Sequence, residues 1–109
     1  MSSENRTAIG REGEDQAFRY LRDLGYTPVA RNVRVGRDEL DAVFLEGEIV
    51  VFVEVRMRKN TQIMPEETVD AGKRERLSRA MIAYLEEAGW SDRESRLDLV
   101  AIDANGLRH

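Results

Sequence analysis

The stretch Ile49-Val50-Val51-Phe52-Val53-Glu54-Val55-Arg56 (IVVFVEVR) decides how this chain folds. Its β-branched and aromatic residues favour an extended, pleated backbone. Ile49 to Val53 are apolar without alternation, the pattern of a strand covered on both faces and therefore central in its sheet. Just before it, Glu39 to Leu45 (ELDAVFL) reads as another strand, and the intervening Glu46-Gly47 signals a tight turn, so the two form an antiparallel hairpin. Further back, Tyr26 to Val35 mixes β-branched and polar residues around Pro28, an edge strand because proline cannot donate to a ladder. Upstream of that, Ala17, Phe18, Tyr20, Leu21 and Leu24 share one face of a helix that Gly25 ends. Gly10 and Gly13 weaken its earlier part but let another backbone or a ligand come close.

In the other direction, Arg58 to Met64 reads as a polar loop and Pro65 as the opening of a second helix. Leu77, Ala80, Met81, Tyr84, Leu85 and Ala88 form its apolar stripe before Gly89 stops it. Arg96 to Ile102 (RLDLVAI) is a last strand, which the preceding helix allows to pair parallel to an earlier one. The expected fold is α/β, in the order α-β-β-β-α-β, with a central mixed sheet flanked by helices. Residues 1–7 are expected to be a flexible N-terminus, 8–103 a single domain and 104–109 a C-terminal tail, with no role for His109.

At 109 residues the chain has room for one domain, and 41% hydrophobic with 35% charged residues suits a globular core rather than a membrane protein. It has no Cys and one His, which excludes thiol nucleophiles, cysteine zinc sites and histidine-centred triads. Chemistry must run on carboxylates, Lys/Arg, hydroxyls or an oxygen-bound metal. The net charge of −4 argues against a protein that coats nucleic acid through bulk charge, although local patches can be basic. Nothing resembles a signal peptide or a membrane span, so the expected address is the cytoplasm.

Glu54 is the anomaly, a carboxylate in a strand that otherwise reads as buried, costly unless it is paired or binds a cation. Alternation puts Glu54 and Arg56 on one face with Phe52, and Glu39 and Asp41 on one face of the neighbouring strand, so the hairpin can bring Asp41 or Glu39 towards Glu54. Two carboxylates with the Val55 carbonyl make a partial oxygen cage of the kind Mg²⁺ accepts, suited to phosphodiester hydrolysis. The competing reading is a cross-strand ion pair of Arg56 with Asp41 or Glu39.

Several blocks together resemble a known family. They are G-x-x-G-E-x-x-A-x-x-Y-L-x-x-x-G (Gly10, Gly13, Glu14, Ala17, Tyr20, Leu21, Gly25), Arg31-Asn32-Val33-Arg34, Glu39-Leu40-Asp41, and Phe52-Val53-Glu54-Val55-Arg56 with Arg58 after it. Pro65 to Lys73 and Arg96 to Ile102 complete the series, which runs from about Ala8 to Ile102. The sequence is similar to the YraN-like family of small uncharacterised proteins, placed by fold in the PD-(D/E)XK nuclease superfamily near archaeal Holliday-junction resolvases. The resemblance implies a restriction-endonuclease-like core, with Asp41 and Glu54 as metal-binding acids and Glu14 as a supplementary acid. It also implies Mg²⁺ or Mn²⁺ as cofactor and DNA, branched or structured, as partner. The family's third signature position is usually Lys and here is Arg56, which stays protonated and can only donate hydrogen bonds and charge.

Basic residues fall on either side of these acids, with Arg34, Arg58, Lys59 and Lys73 the candidates for gripping a phosphate backbone. Trp90, just after Gly89, reads as packing the helix end onto the sheet, with base stacking the alternative. Three functions compete: a metal-dependent endonuclease-like protein, a nucleic-acid-binding module without cleavage, and a protein-interaction domain whose acids are salt-bridged. A homodimer stays open.

Overall fold

The apolar run of Ile49–Val53 ends up in the middle of a five-stranded sheet. In the computed structural model, which describes residues 3–57, 71–103 and 105–109, helix α1 (Ser3–Asp23) leads into strands β1 (Thr27–Val35), β2 (Asp38–Glu46) and β3 (Ile49–Met57). Helix α2 (Ala71–Ala88), β4 (Ser95–Asp103) and β5 (Gly106–Arg108) follow. The strands lie in the order β1-β2-β3-β4-β5. β1, β2 and β3 make an antiparallel meander, β4 runs parallel to β3, and β5 turns back antiparallel onto β4. A mixed sheet between two helices is consistent with the restriction-endonuclease-like core expected from the sequence.

Strand alternation builds two cores. On one face, Ala17 and Leu21 of α1 pack against Ala42, Phe44, Val51, Val53, Val100 and Ile102. On the other, Leu77, Ala80 and Leu85 of α2 pack against Leu40, Val43, Val50 and Phe52. β3 therefore serves both faces, which is why its sequence does not alternate. Trp90 joins the α2-side core, its ring 6.4 Å from that of Tyr84, and so packs the helix end onto the sheet. Both helices end in the same hydrogen-bond pattern. After α1, Gly25 N–H donates to Arg22 O and Tyr26 N–H to Leu21 O; after α2, Gly89 N–H donates to Glu86 O and Trp90 N–H to Leu85 O.

Three expectations change. The last strand is not the last: β5 lies in the stretch read as a tail, Leu107 pairs with Ile102, and His109 Nε2 sits 2.7 Å from Asp98 Oδ2. Helix α1 begins at Ser3, inside the segment read as a flexible N-terminus. Leu24 is 52% exposed rather than core, because the chain has already left the helix at Asp23 and turned into its cap. The expected polar loop and the Pro65 helix start lie outside the described residues. Among the described residues no helix is long and apolar enough to cross a membrane.

Candidate functional site

The β2–β3 ladder pairs Glu46 with Ile49 and continues to Ala42 opposite Val53, where it stops. The next pair would be Asp41 and Glu54. Both carboxylates therefore lie where the two central strands splay apart. Asp41 Oδ2 accepts a hydrogen bond from the Val55 backbone N–H at 2.8 Å, taking the place of the missing ladder bond. Because the N–H and C=O of one strand residue face the same neighbour, the Val55 carbonyl faces this gap as well.

Glu54 is the one buried charged residue among those described, 6% exposed. Its Oε1 is 2.7 Å from Lys73 Nζ of α2 and 3.6 Å from Arg56 Nε on its own strand. This is the pairing that makes a carboxylate tolerable there. Arg56 thus pairs with Glu54, two residues away on the same face, instead of crossing to Asp41 or Glu39. Lys73 and Glu54 line a cleft of roughly 360 Å³ with Arg37, Asp38, Glu39, Asp41, Arg76 and Leu77. Arg79 of α2 holds the Asp38 carboxylate at 3.2 Å, fixing the helix against the start of β2 at the rim.

Burial, and then the Glu54 carboxylate, push the Asp41 carboxyl from 3.8 up to about 7. The Val55 N–H pulls the other way, and Glu14 and Glu39 add to the rise. Asp41 is thus short of positive charge while Glu54 already has two cationic partners. Two carboxylates and a strand carbonyl facing one gap form a hard, all-oxygen donor set, and the like-charge crowding on Asp41 is what a divalent ion relieves; the residues fit Mg²⁺ or Mn²⁺. Among the described residues no three acids gather as a ready-made cage. An ion here would keep water in its remaining positions, as Mg²⁺ does.

Glu14 reaches Asp41 electrostatically, although its nearest cation is Arg31, at 4.0 Å. Gly13 brings it there, since a Cβ on Gly13 would overlap the Met57 side chain where α1 crosses the end of β3. Arg31 itself is engaged by Asp15 at 2.7 Å and lies over the Phe18 ring. Of the basic candidates, Lys73 lines the cleft, while Arg34 is exposed on β1 opposite Glu39, a strand away from Glu54. Arg58 and Lys59 lie outside the described residues. Arg37 and Arg76 belong to the basic stretches that flank the acids in sequence but were not singled out there, and both line the cleft. The signals were there: Arg37 sits in the two-residue turn just before the acid-bearing strand, and Arg76 is three residues beyond Lys73, hence on the same helix face.

The family model of the uncharacterised protein family UPF0102 matches residues 13–102. The chain is similar to the UPF0102 protein of Pseudomonas fluorescens, 45% identical over 96 residues that cover 86% of this chain and 78% of the relative. It is 40% identical to that of Desulfitobacterium hafniense over 102 residues, 92% of this chain and 84% of the relative. The matching protein of Solibacter usitatus is 45% identical over 96 residues, 85% and 73% of the two chains.

Proposed function

The chain belongs to the UPF0102 family, the YraN-like family its sequence blocks resemble, and from that premise we propose that it is a metal-dependent, endonuclease-like protein acting on DNA phosphodiesters, branched or structured DNA included. The observation that carries this reading is the splay of β2 and β3 at Asp41 and Glu54, which opens two carboxylates into one cleft with a lysine across it, Asp41 being held by the Val55 backbone.

Asp41, Glu54 and the Val55 carbonyl would hold Mg²⁺ or Mn²⁺, with Glu14 supporting Asp41 from α1. The ion, when bound, supplies the Lewis acid that polarises a scissile phosphate and makes water a better nucleophile. The chain's own residues do the rest. Lys73 brings positive charge into the cleft, and Arg56 adds to it from its place beside Glu54, where it favours a phosphoryl group gaining negative charge. Arg37 and Arg76 stand at the walls, placed to hold neighbouring phosphates, with Arg34, Arg58 and Lys59 extending the grip. Arg56 cannot take a proton from water, so it orients and stabilises only.

A nucleic-acid-binding module without cleavage is favoured by one observation, the occupation of Glu54 by Lys73 and Arg56 together. Cleavage of single-stranded, duplex, flap and four-way DNA with Mg²⁺ or Mn²⁺ separates the two. Weak, metal-dependent cleavage that Glu54→Gln abolishes and Arg56→Lys preserves or raises is the expected outcome. Salt-dependent binding with no cleavage by any variant selects the module, and absence of both cleavage and DNA binding sinks the proposal.

A further inference from the structure

Asp41 is skipped by the ladder on both of its sides. Towards β3 the pairing ends at Ala42–Val53. Towards β1 the register runs Ala30–Val43, Arg31–Ala42, then Val33–Leu40, omitting the position where Asp41 would face Asn32. Asn32 is also the one non-glycine residue with a positive φ among those described, at 50°. The side-chain alternation shifts at the same place in both strands. Ala30 and Val33, three residues apart, both pack on the α2-side core, while Leu40 and Ala42, two apart, lie in opposite cores. Neither spacing is compatible with an uninterrupted strand, in which residues two apart share a face.

A left-handed residue in a strand turns the peptide groups on either side of it, breaking the ladder locally and re-aiming the side chains that follow. Asparagine is one of the few residues besides glycine that adopts this conformation at low cost; for a β-branched residue it is strongly unfavourable. The break in β1 falls directly opposite Asp41, releasing that stretch of β2 from regular pairing. Asp41 is then free to turn its carboxylate onto the Val55 N–H, beside Glu54.

We propose that Asn32 is a positioning residue for the acid site: its left-handed backbone interrupts the β1–β2 ladder opposite Asp41 and so sets the Asp41 carboxylate against Val55 N–H in the cleft. The consequence for metal binding rests on the function proposed above; the consequence for the Asp41–Val55 hydrogen bond does not.

Two readouts test it, hydrogen exchange at the Val55 amide and Mn²⁺ affinity by calorimetry, in wild type, Asn32→Gly, Asn32→Ala and Asn32→Val. Gly, which adopts the left-handed conformation freely, keeps Val55 protection and Mn²⁺ affinity at the wild-type level. Ala and Val speed Val55 exchange and weaken Mn²⁺ about 10- to 100-fold, the usual cost of losing a group that orients a ligand. The rank Gly, Ala, Val separates positioning from loss of the asparagine side chain, which all three remove. Should the Val variant not fold, Ala carries the comparison. Unchanged Val55 protection in the Ala variant, or loss of protection in the Gly variant, overturns the proposal. A wild-type protein that binds no Mn²⁺ overturns the metal reading, while Val55 exchange still decides the role of Asn32.

Discussion

Replacing Asp41 by Asn stabilises the metal-free protein above neutral pH. The folded-state pKa of Asp41 is raised from 3.8 to about 7 by burial first and by Glu54 second. Between those values the folded chain holds a proton that the unfolded chain has released. Raising the pH therefore weakens the fold across this window, and above about pH 7 the penalty is constant. About three pK units at about 1.4 kcal/mol each set an upper limit of about 4 kcal/mol. Because Asp41 is only partly buried, solvent trims this to about 2–3 kcal/mol. Asn keeps the shape, and its amide oxygen still accepts from Val55 N–H, so the variant removes the buried like charge and little else.

Urea denaturation from pH 4 to pH 9 without divalent ions reads this directly. The stability difference between Asp41→Asn and wild type opens from near zero at pH 4 to its plateau above pH 7. Adding Mn²⁺ at pH 8 then reverses the order, since an ion at about 1,000 times its dissociation constant stabilises the wild type by about 4.1 kcal/mol, more than its deficit, and leaves the variant unaffected. A difference that is flat with pH, or a variant less stable than wild type at pH 8 without metal, refutes the reasoning that like-charge crowding governs this site.

Glu54→Gln takes the charged partner from Lys73 and Arg56 and lowers stability by about 1–3 kcal/mol, less than a fully buried pair because Lys73 is partly exposed. Denaturation midpoints check it, and an unchanged midpoint together with unchanged Mn²⁺ binding contradicts it. Away from the cleft, Arg96 joins Asp98 at 2.8 Å, Glu46 at 2.7 Å and the Tyr26 hydroxyl at 2.7 Å. Burial pushes Asp98 up, but hydrogen bonds from Arg96 and His109 outweigh it and hold the carboxyl below its ordinary value. A lowered carboxyl contributes stability above its unfolded pKa and loses it as pH falls. Arg96→Ala therefore raises the Asp98 pKa in an NMR titration and costs stability at neutral pH but less in acid; an unmoved Asp98 titration contradicts this.

What could be read from sequence, and what could not, follows from the range of the interactions. The central strand, the hairpin and the two helical stripes are written in neighbouring residues, because apolar burial on one or two faces leaves a period of 2, none or 3.6. Glu54 was legible as a charge inside such a run. Its partner Lys73 was legible only as a basic residue in a matching block, since 19 residues separate the two and the contact depends on how α2 crosses the sheet. β5 was hidden by its length, three residues being too few to show alternation. The exit of Asp41 from the ladder was the least legible feature of all, although the residues that produce it stand in plain view. Alternation assumes every residue adds the same twist, and Asn32 does not. An asparagine between Arg31 and Val33 fits a strand, a bulge or a turn equally well until its φ is fixed by the packing of Ala30 and Val33 on one face. Where two carboxylates are to share a cation, a regular ladder is the wrong support. It would pair both strands through the site and tie up the backbone groups that must face the ion. A single left-handed residue on the strand beyond opens that ladder without costing the sheet its core, since the apolar residues on both sides of the break still find their faces.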